Sequence, residues 1–215
     1  MRGAPWATFS SPQARYFVHG RRDKTVLTAA LGDAFTGVVV SDFYSVYTSY
    51  EGRHQYCWAH LLRDADELAE RHRDEPGVTG WAAALHALYG RARSVSAPDP
   101  ASRRQAQREC EAEARALVAP WLGHPTAPQR ALCDRITKHL SDLFGFVADP
   151  AVPPTNNAAE HSLRHLVTCR KISGGTRSSA GTATKMALAT LFGTWRLQGH
   201  DPLAECRALL ATPQV

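Results

Sequence analysis

The sequence predicts an α/β fold in which a mixed sheet is interrupted by a long helical insertion, and three features carry that expectation. Val38-Val39-Val40 is a short run of β-branched residues of the kind that forms a buried strand. An aromatic stretch, Gln55 to His60, reads as a second strand that passes directly into helical spacing through Leu61, Leu62, Ala65, Leu68 and Ala69. The succession strand, strand, helix is the grammar of layered α/β proteins. From about residue 72 to 150 the pattern is helical only.

Taken in order, Arg15 to His19 reads as extended, Lys24 to Leu31 has helical spacing, and Gly37 to Asp42 is the valine strand, followed by a helical segment from Phe43 to Tyr50. The helical block contains Thr79 to Val95 with Trp81, Leu85, Leu88 and Tyr89, the highly charged Ala101 to Val118, and Pro128 to Phe146 with Leu132, Ile136, Leu140, Leu143 and Phe144. Pro98-Asp99-Pro100 and Pro120 to Pro128 punctuate it. A helix starts near Asn157. A last long one, Ser179 to Gln198, ends at Gly199, and Asp201-Pro202 opens a short final helix as cap and first residue. The expected organisation is a sheet domain from 1–71 and 151–199, the insertion at 72–150, and a helix with tail at 200–215.

At 215 residues and 44% apolar content the chain has material for a proper core, which excludes disorder throughout. No run of 18 apolar residues occurs and the first residues lack the apolar stretch of a secretory signal, so a cytoplasmic protein without membrane contact is expected. Five scattered cysteines, an odd number without a CxxC pair, suit reduced thiols. Cys57-Trp58-Ala59-His60 could be half a zinc site, but no second half answers it.

Charge separates one region from the rest. Of 25 Lys and Arg and 20 Asp and Glu, the segment Thr155 to Gly199 holds six bases (Arg164, Arg170, Lys171, Arg177, Lys185, Arg196) and one acid (Glu160), which leaves 19 of each elsewhere. The whole formal excess of +5 sits in that segment, as expected of a surface that meets an anionic polymer.

Asp42 ends the valine strand, where α/β sheets hold functional groups, yet Ser41 or Asp42 could equally cap the helical segment that follows. Glu160, three residues after Asn157, fits the acceptor position of a capping box and could pair with Arg164 four residues on. Arg170-Lys171-Ile172-Ser173-Gly174-Gly175-Thr176-Arg177 interleaves glycines, hydroxyls and bases so that backbone N–H groups can approach phosphates, or it is a plain helix connector. His54, His60, His161 and His165 are candidates to support such a site rather than to carry it.

Four stretches together resemble the catalytic domain of the insertion-sequence 66 transposase family, a group of DDE transposases with a ribonuclease-H-like fold. They are Val39 to Tyr47, Cys57 to Asp64, Pro153 to Arg164, and Arg170 to Arg177 with Phe192-Gly193-Thr194-Trp195 beyond, in the family's order. The resemblance implies DNA transposition by Mg²⁺-dependent strand cleavage and transfer, with three carboxylates holding two Mg²⁺ ions. Asp42 matches the second acid and Glu160 the third, both as catalytic residues and metal ligands. Arg164, Arg170, Lys171, Arg177 and Lys185 would then contact DNA, while His60, Asn156 and Asn157 would stand behind the acids.

The sequence also departs from the family. Residues 1–22 contain no Asp or Glu, and Asp23, the first acid, sits in an Arg-Arg-Asp-Lys turn. The expectation is therefore a ribonuclease-H-like mixed sheet lacking its first strand and first catalytic Asp, truncated inside the catalytic domain and impaired or inactive alone. The alternative is a non-catalytic DNA-binding or transposase-associating fragment. Implied partners are transposon-end and target DNA, copies of the chain or full-length transposase, in a nucleoid-associated setting.

Overall fold

The computed structural model describes residues 6–11, 13–19, 24–32 and 34–211. It is a mixed α/β structure, 67% helical. In chain order the elements are β1 (Trp6–Ser10), β2 (Arg15–His19), α1 (Lys24–Leu31), β3 (Val38–Ser41), α2 (Ser45–Thr48), β4 (Arg53–Tyr56), α3 (Trp58–Arg71), α4 (Pro76–Ser94) and α5 (Pro100–Val118). They continue as α6 (Arg130–Lys138), α7 (Leu140–Leu143), α8 (Gly145–Ala148), α9 (Asn157–Ser173), α10 (Ser179–Leu197) and α11 (Pro202–Ala211). Two compact units divide the chain, one of residues 36–156 and the other of residues 1–35 with 157–215. Among the described residues the strands form two separate pairs, antiparallel β1–β2 and parallel β3–β4, rather than one mixed sheet.

The 36–156 unit is built on α3, whose buried residues Trp58, Leu61, Leu62, Ala65 and Leu68 recur at helical spacing and pack on α4. Trp81, Leu85, Leu88 and Ala92 form the buried face of α4. Asp99 caps α5, its Oδ1 accepting the N–H groups of Ala101 (2.8 Å) and Ser102 (3.0 Å), with Pro100 at the first helical position.

Two expectations change here. The aromatic strand stops at Tyr56, and Trp58, Ala59 and His60 already belong to α3. The reason is tertiary: the Trp58 N–H, which a helix start leaves without a helical partner, donates to Pro154 O at 3.0 Å. The single helix expected over Pro128 to Phe146 is broken into α6, α7 and α8. At the second break the fully buried Gln55 enters the helical ladder: its Nε2 donates to Leu143 O (2.9 Å) and its Oε1 accepts Phe146 N–H (2.9 Å). Leu143 O also accepts the Trp58 indole N–H. Gly145 permits this approach, since a Cβ there would lie 3.2 Å from Gln55 Oε1.

In the other unit β2 lies against α10, and its outer edge is satisfied by threonine hydroxyls one helical turn apart. Phe17 N–H donates to Thr190 Oγ1 (3.0 Å), Arg15 N–H to Thr194 Oγ1 (3.1 Å), and Thr194 Oγ1 returns a bond to Arg15 O (3.0 Å). An edge that would otherwise recruit a further strand is thereby closed by a helix. Phe17, Leu166, Met186 and Ala189 form the small buried core, with Leu163 beside it. Gly199, at φ +79°, follows α10 as expected, and Asp201 Oδ1 accepts Leu203 N–H (3.0 Å) to open α11.

Candidate functional site

Asp42 is the residue after β3, and both of its neighbours are fixed. Ser41 is buried, pairs in register with Tyr56, and its carbonyl accepts the Cys57 N–H at 2.8 Å. Phe43 stacks on the Tyr56 ring at 4.9 Å, under the Arg135 guanidinium at 5.0 Å. Burial, with the nearby Asp142 carboxylate, pushes the Tyr56 hydroxyl up to about 12. Asp42 Oδ1 accepts the Tyr44 N–H at 3.1 Å, which makes it a turn-former, while its Oδ2 makes no hydrogen bond among the described residues. It does not cap α2 by a side-chain bond.

His60 and Asn156 meet at Cys57. The Asn156 N–H donates to the Cys57 sulfur at 3.4 Å. Burial raises the thiol, but hydrogen bonding from the His60 side chain and the Asn156 N–H outweighs it and leaves the group below its ordinary value. Asn156 Oδ1 is buried with no hydrogen-bond partner among the described residues. Cys57, read from sequence only as half of a metal site, is thus the centre of this cluster. The available signal was its spacing of three to His60, which sets Cys57 at the cap and His60 in the first turn of α3.

Glu160 and Asn157 belong to the other unit, in the first turn of α9. Arg164, Lys171 and Arg177 are exposed and make no hydrogen bond or ion pair among the described residues, so the anticipated Glu160–Arg164 pair is not formed. Arg170 is also exposed and Lys185 half-buried. Gly174 and Gly175 take φ of +70° and +99°, a left-handed turn that explains both glycines as conformational. The loop hydroxyls are engaged locally: Thr176 bonds Thr182, and Ser178 Oγ caps α10 by accepting Gly181 N–H at 3.0 Å.

Among the described residues no group of three or more His, Cys, Asp and Glu side chains is placed to hold a metal ion. All five cysteines are free thiols, three of them buried. Asp23 lies outside the described residues. No helix of the described residues is long and apolar enough to cross a membrane.

The sequence profile described as Transposase IS66 family matches residues 2–184. The uncharacterized protein y4qI of Sinorhizobium fredii is 28% identical over 218 residues, covering 93% of this chain and 40% of that protein. The uncharacterized protein y4jO of the same organism is 35% identical over 68 residues, 32% of this chain and 21% of its own length. The chain thus spans less than half the length of these curated relatives. No solved structure matches it.

Proposed function

The chain belongs to the IS66 family of transposases, and from that premise we propose that it serves DNA transposition through a Mg²⁺-dependent phosphoryl-transfer centre to which Asp42 and Glu160 give two carboxylates. The observation that carries this reading is the place of Asp42, directly after the carboxyl end of a parallel strand with both neighbours immobilised. The donor chemistry fits the ion: two carboxylates and the unbonded buried Asn156 Oδ1 are hard oxygens of the kind Mg²⁺ takes. Bound there, Mg²⁺ would supply charge stabilisation at the phosphoryl oxygens and activation of a water or 3′-hydroxyl. The chain's own part is to hold the ion with Asp42 and Glu160 and to bind backbone phosphates with Arg164, Arg170, Lys171, Arg177 and Lys185.

The order hairpin, helix, strand, strand, helix, with a helical block before the Glu160 helix, supports a ribonuclease-H-like core. Because residues 1–22 contain no acid, a third carboxylate does not come from that stretch. With Asp42 and Glu160 as its only assigned acids, this chain is expected to nick or join transposon-end DNA in Mg²⁺ at background level, rising when a third acid-bearing segment is supplied and falling back in Asp42→Ala. Robust cleavage by the chain alone would overturn the impairment, and restored cleavage indifferent to Asp42→Ala would overturn the acid assignment.

A second reading, a non-catalytic DNA-binding partner of full-length transposase, is favoured by the exposed, unpaired Arg164, Lys171 and Arg177. Duplex binding measured across a salt series should show a slope that flattens by about 0.9 for each phosphate no longer neutralised when Arg170, Lys171 and Arg177 are changed to Ala. Absence of binding at low salt would exclude this reading.

A further inference from the structure

Cys57 stands where β4 turns into α3, and its side chain is wholly buried. Three hydrogen bonds converge on Cys57 and Trp58. The Cys57 N–H holds Ser41 O at 2.8 Å, the residue before Asp42. The Trp58 N–H holds Pro154 O at 3.0 Å, and the Cys57 sulfur accepts Asn156 N–H at 3.4 Å. A thiol is a weak acceptor, yet the Cys57 sulfur is the atom that receives the Asn156 N–H.

We infer that Cys57 is a positioning residue: it pins Pro153–Asn156, the four residues from which the chain runs on into the Glu160 helix, to the strand end that carries Asp42. The inference rests on the reading of Asp42 and Glu160 as the acids. In chain terms, one dipeptide holds the residue before Asp42 and the residue four before Glu160. Serine at position 57 would keep an acceptor on a shorter bond and weaken the pin, whereas alanine would remove it and leave the Asn156 N–H without its partner.

Hydrogen exchange followed by mass spectrometry on the full chain tests the pin directly. In Cys57→Ala, exchange at Asn156 and at Trp58 is expected to quicken at least tenfold, and in Cys57→Ser by clearly less. Cys133→Ala, which removes another wholly buried thiol of the same unit, should leave both as in wild type. The inference is overturned if Cys57→Ala leaves Asn156 protected, if serine gives no rescue, or if Cys133→Ala produces the same rise. A parallel Mn²⁺ titration separates the two layers. Binding weakened at least fivefold in Cys57→Ala and lost in Asp42→Asn supports positioning of an acid centre. Mn²⁺ binding that is absent from the wild type, or unaltered in Asp42→Asn, overturns the acid reading while the exchange result still decides the pin.

Discussion

Gln55→Leu is expected to lower the stability of the 36–156 unit by about 2–6 kcal/mol, because two buried backbone groups lose their partners and each such loss costs about 1–3 kcal/mol. The Phe146 N–H has Gln55 Oε1 as its acceptor (2.9 Å), and the Gln55 amide donates to Tyr56 O (2.9 Å) as well as to Leu143 O. Leucine resembles glutamine in bulk, so the core stays filled and the measured loss reports the polar groups rather than a cavity. Leu143 O keeps the Trp58 indole N–H, which limits the damage on that side. Within the ordinary range of about 5–15 kcal/mol, a domain near the top would stay folded with a larger unfolded fraction and one near the bottom would be largely unfolded. Urea unfolding should show a lower midpoint at an unchanged slope. A loss below about 1 kcal/mol would mean that the ladder break at Phe144–Gly145 does not depend on Gln55. Gly145→Ala should act on the same contact more mildly, by displacing the Gln55 carboxamide a few tenths of an ångström.

That same residue shows why part of the fold was legible and part was not. The faces of α3 and α4 follow from the spacing of Leu61, Ala65, Leu68 and of Trp81, Leu85, Leu88, because local periodicity decides which side of a helix meets the core. The second break in Pro128–Phe146, between Leu143 and Gly145, is permitted locally by Gly145 but not decided there. It arises where Gln55, some 90 positions earlier, takes over hydrogen bonds that the helix would otherwise make with itself. Trp58 to His60 likewise read as strand from their aromatic character, and the helix start was settled by Pro154 O from the far end of the unit. For the candidate site, Asp42 was singled out from its position at a strand end, and of the bland alternative, a cap on the following helix, the structure shows only a turn bond from Tyr44 N–H and no side-chain cap on α2. The Cys57–Asn156 contact spans 99 positions and leaves no local trace.

The smaller core carries the basic segment, and there a single truncation should have the larger consequence. Phe17→Ala is expected to cost about 3–5 kcal/mol, the usual range for removing a buried aromatic ring. Phe17 is one of four buried residues in the cluster it shares with Leu166, Met186 and Ala189, among the described residues, so no deep core remains to absorb the loss. Its ring meets His165 edge-on at 5.7 Å, and Gly193 approaches so closely that an added Cβ would lie 3.2 Å from Phe17 Cε2. With the ring gone, the bonds from Phe17 N–H to Thr190 and from Arg15 N–H to Thr194 lose the packing that shields them from water. Exchange should therefore rise throughout 13–19 and along the 186–197 face of α10, while the 36–156 unit keeps its protection. Leu163 and Leu166 anchor α9 in this same cluster, and Arg164, Arg170 and Lys171 ride on that helix. Duplex DNA affinity at low salt should fall at least tenfold in Phe17→Ala although no cation has been removed. Unchanged affinity with exchange raised across the hairpin would show that α9 presents its cations independently of this core, and the basic surface would then have to be assigned to the helix alone.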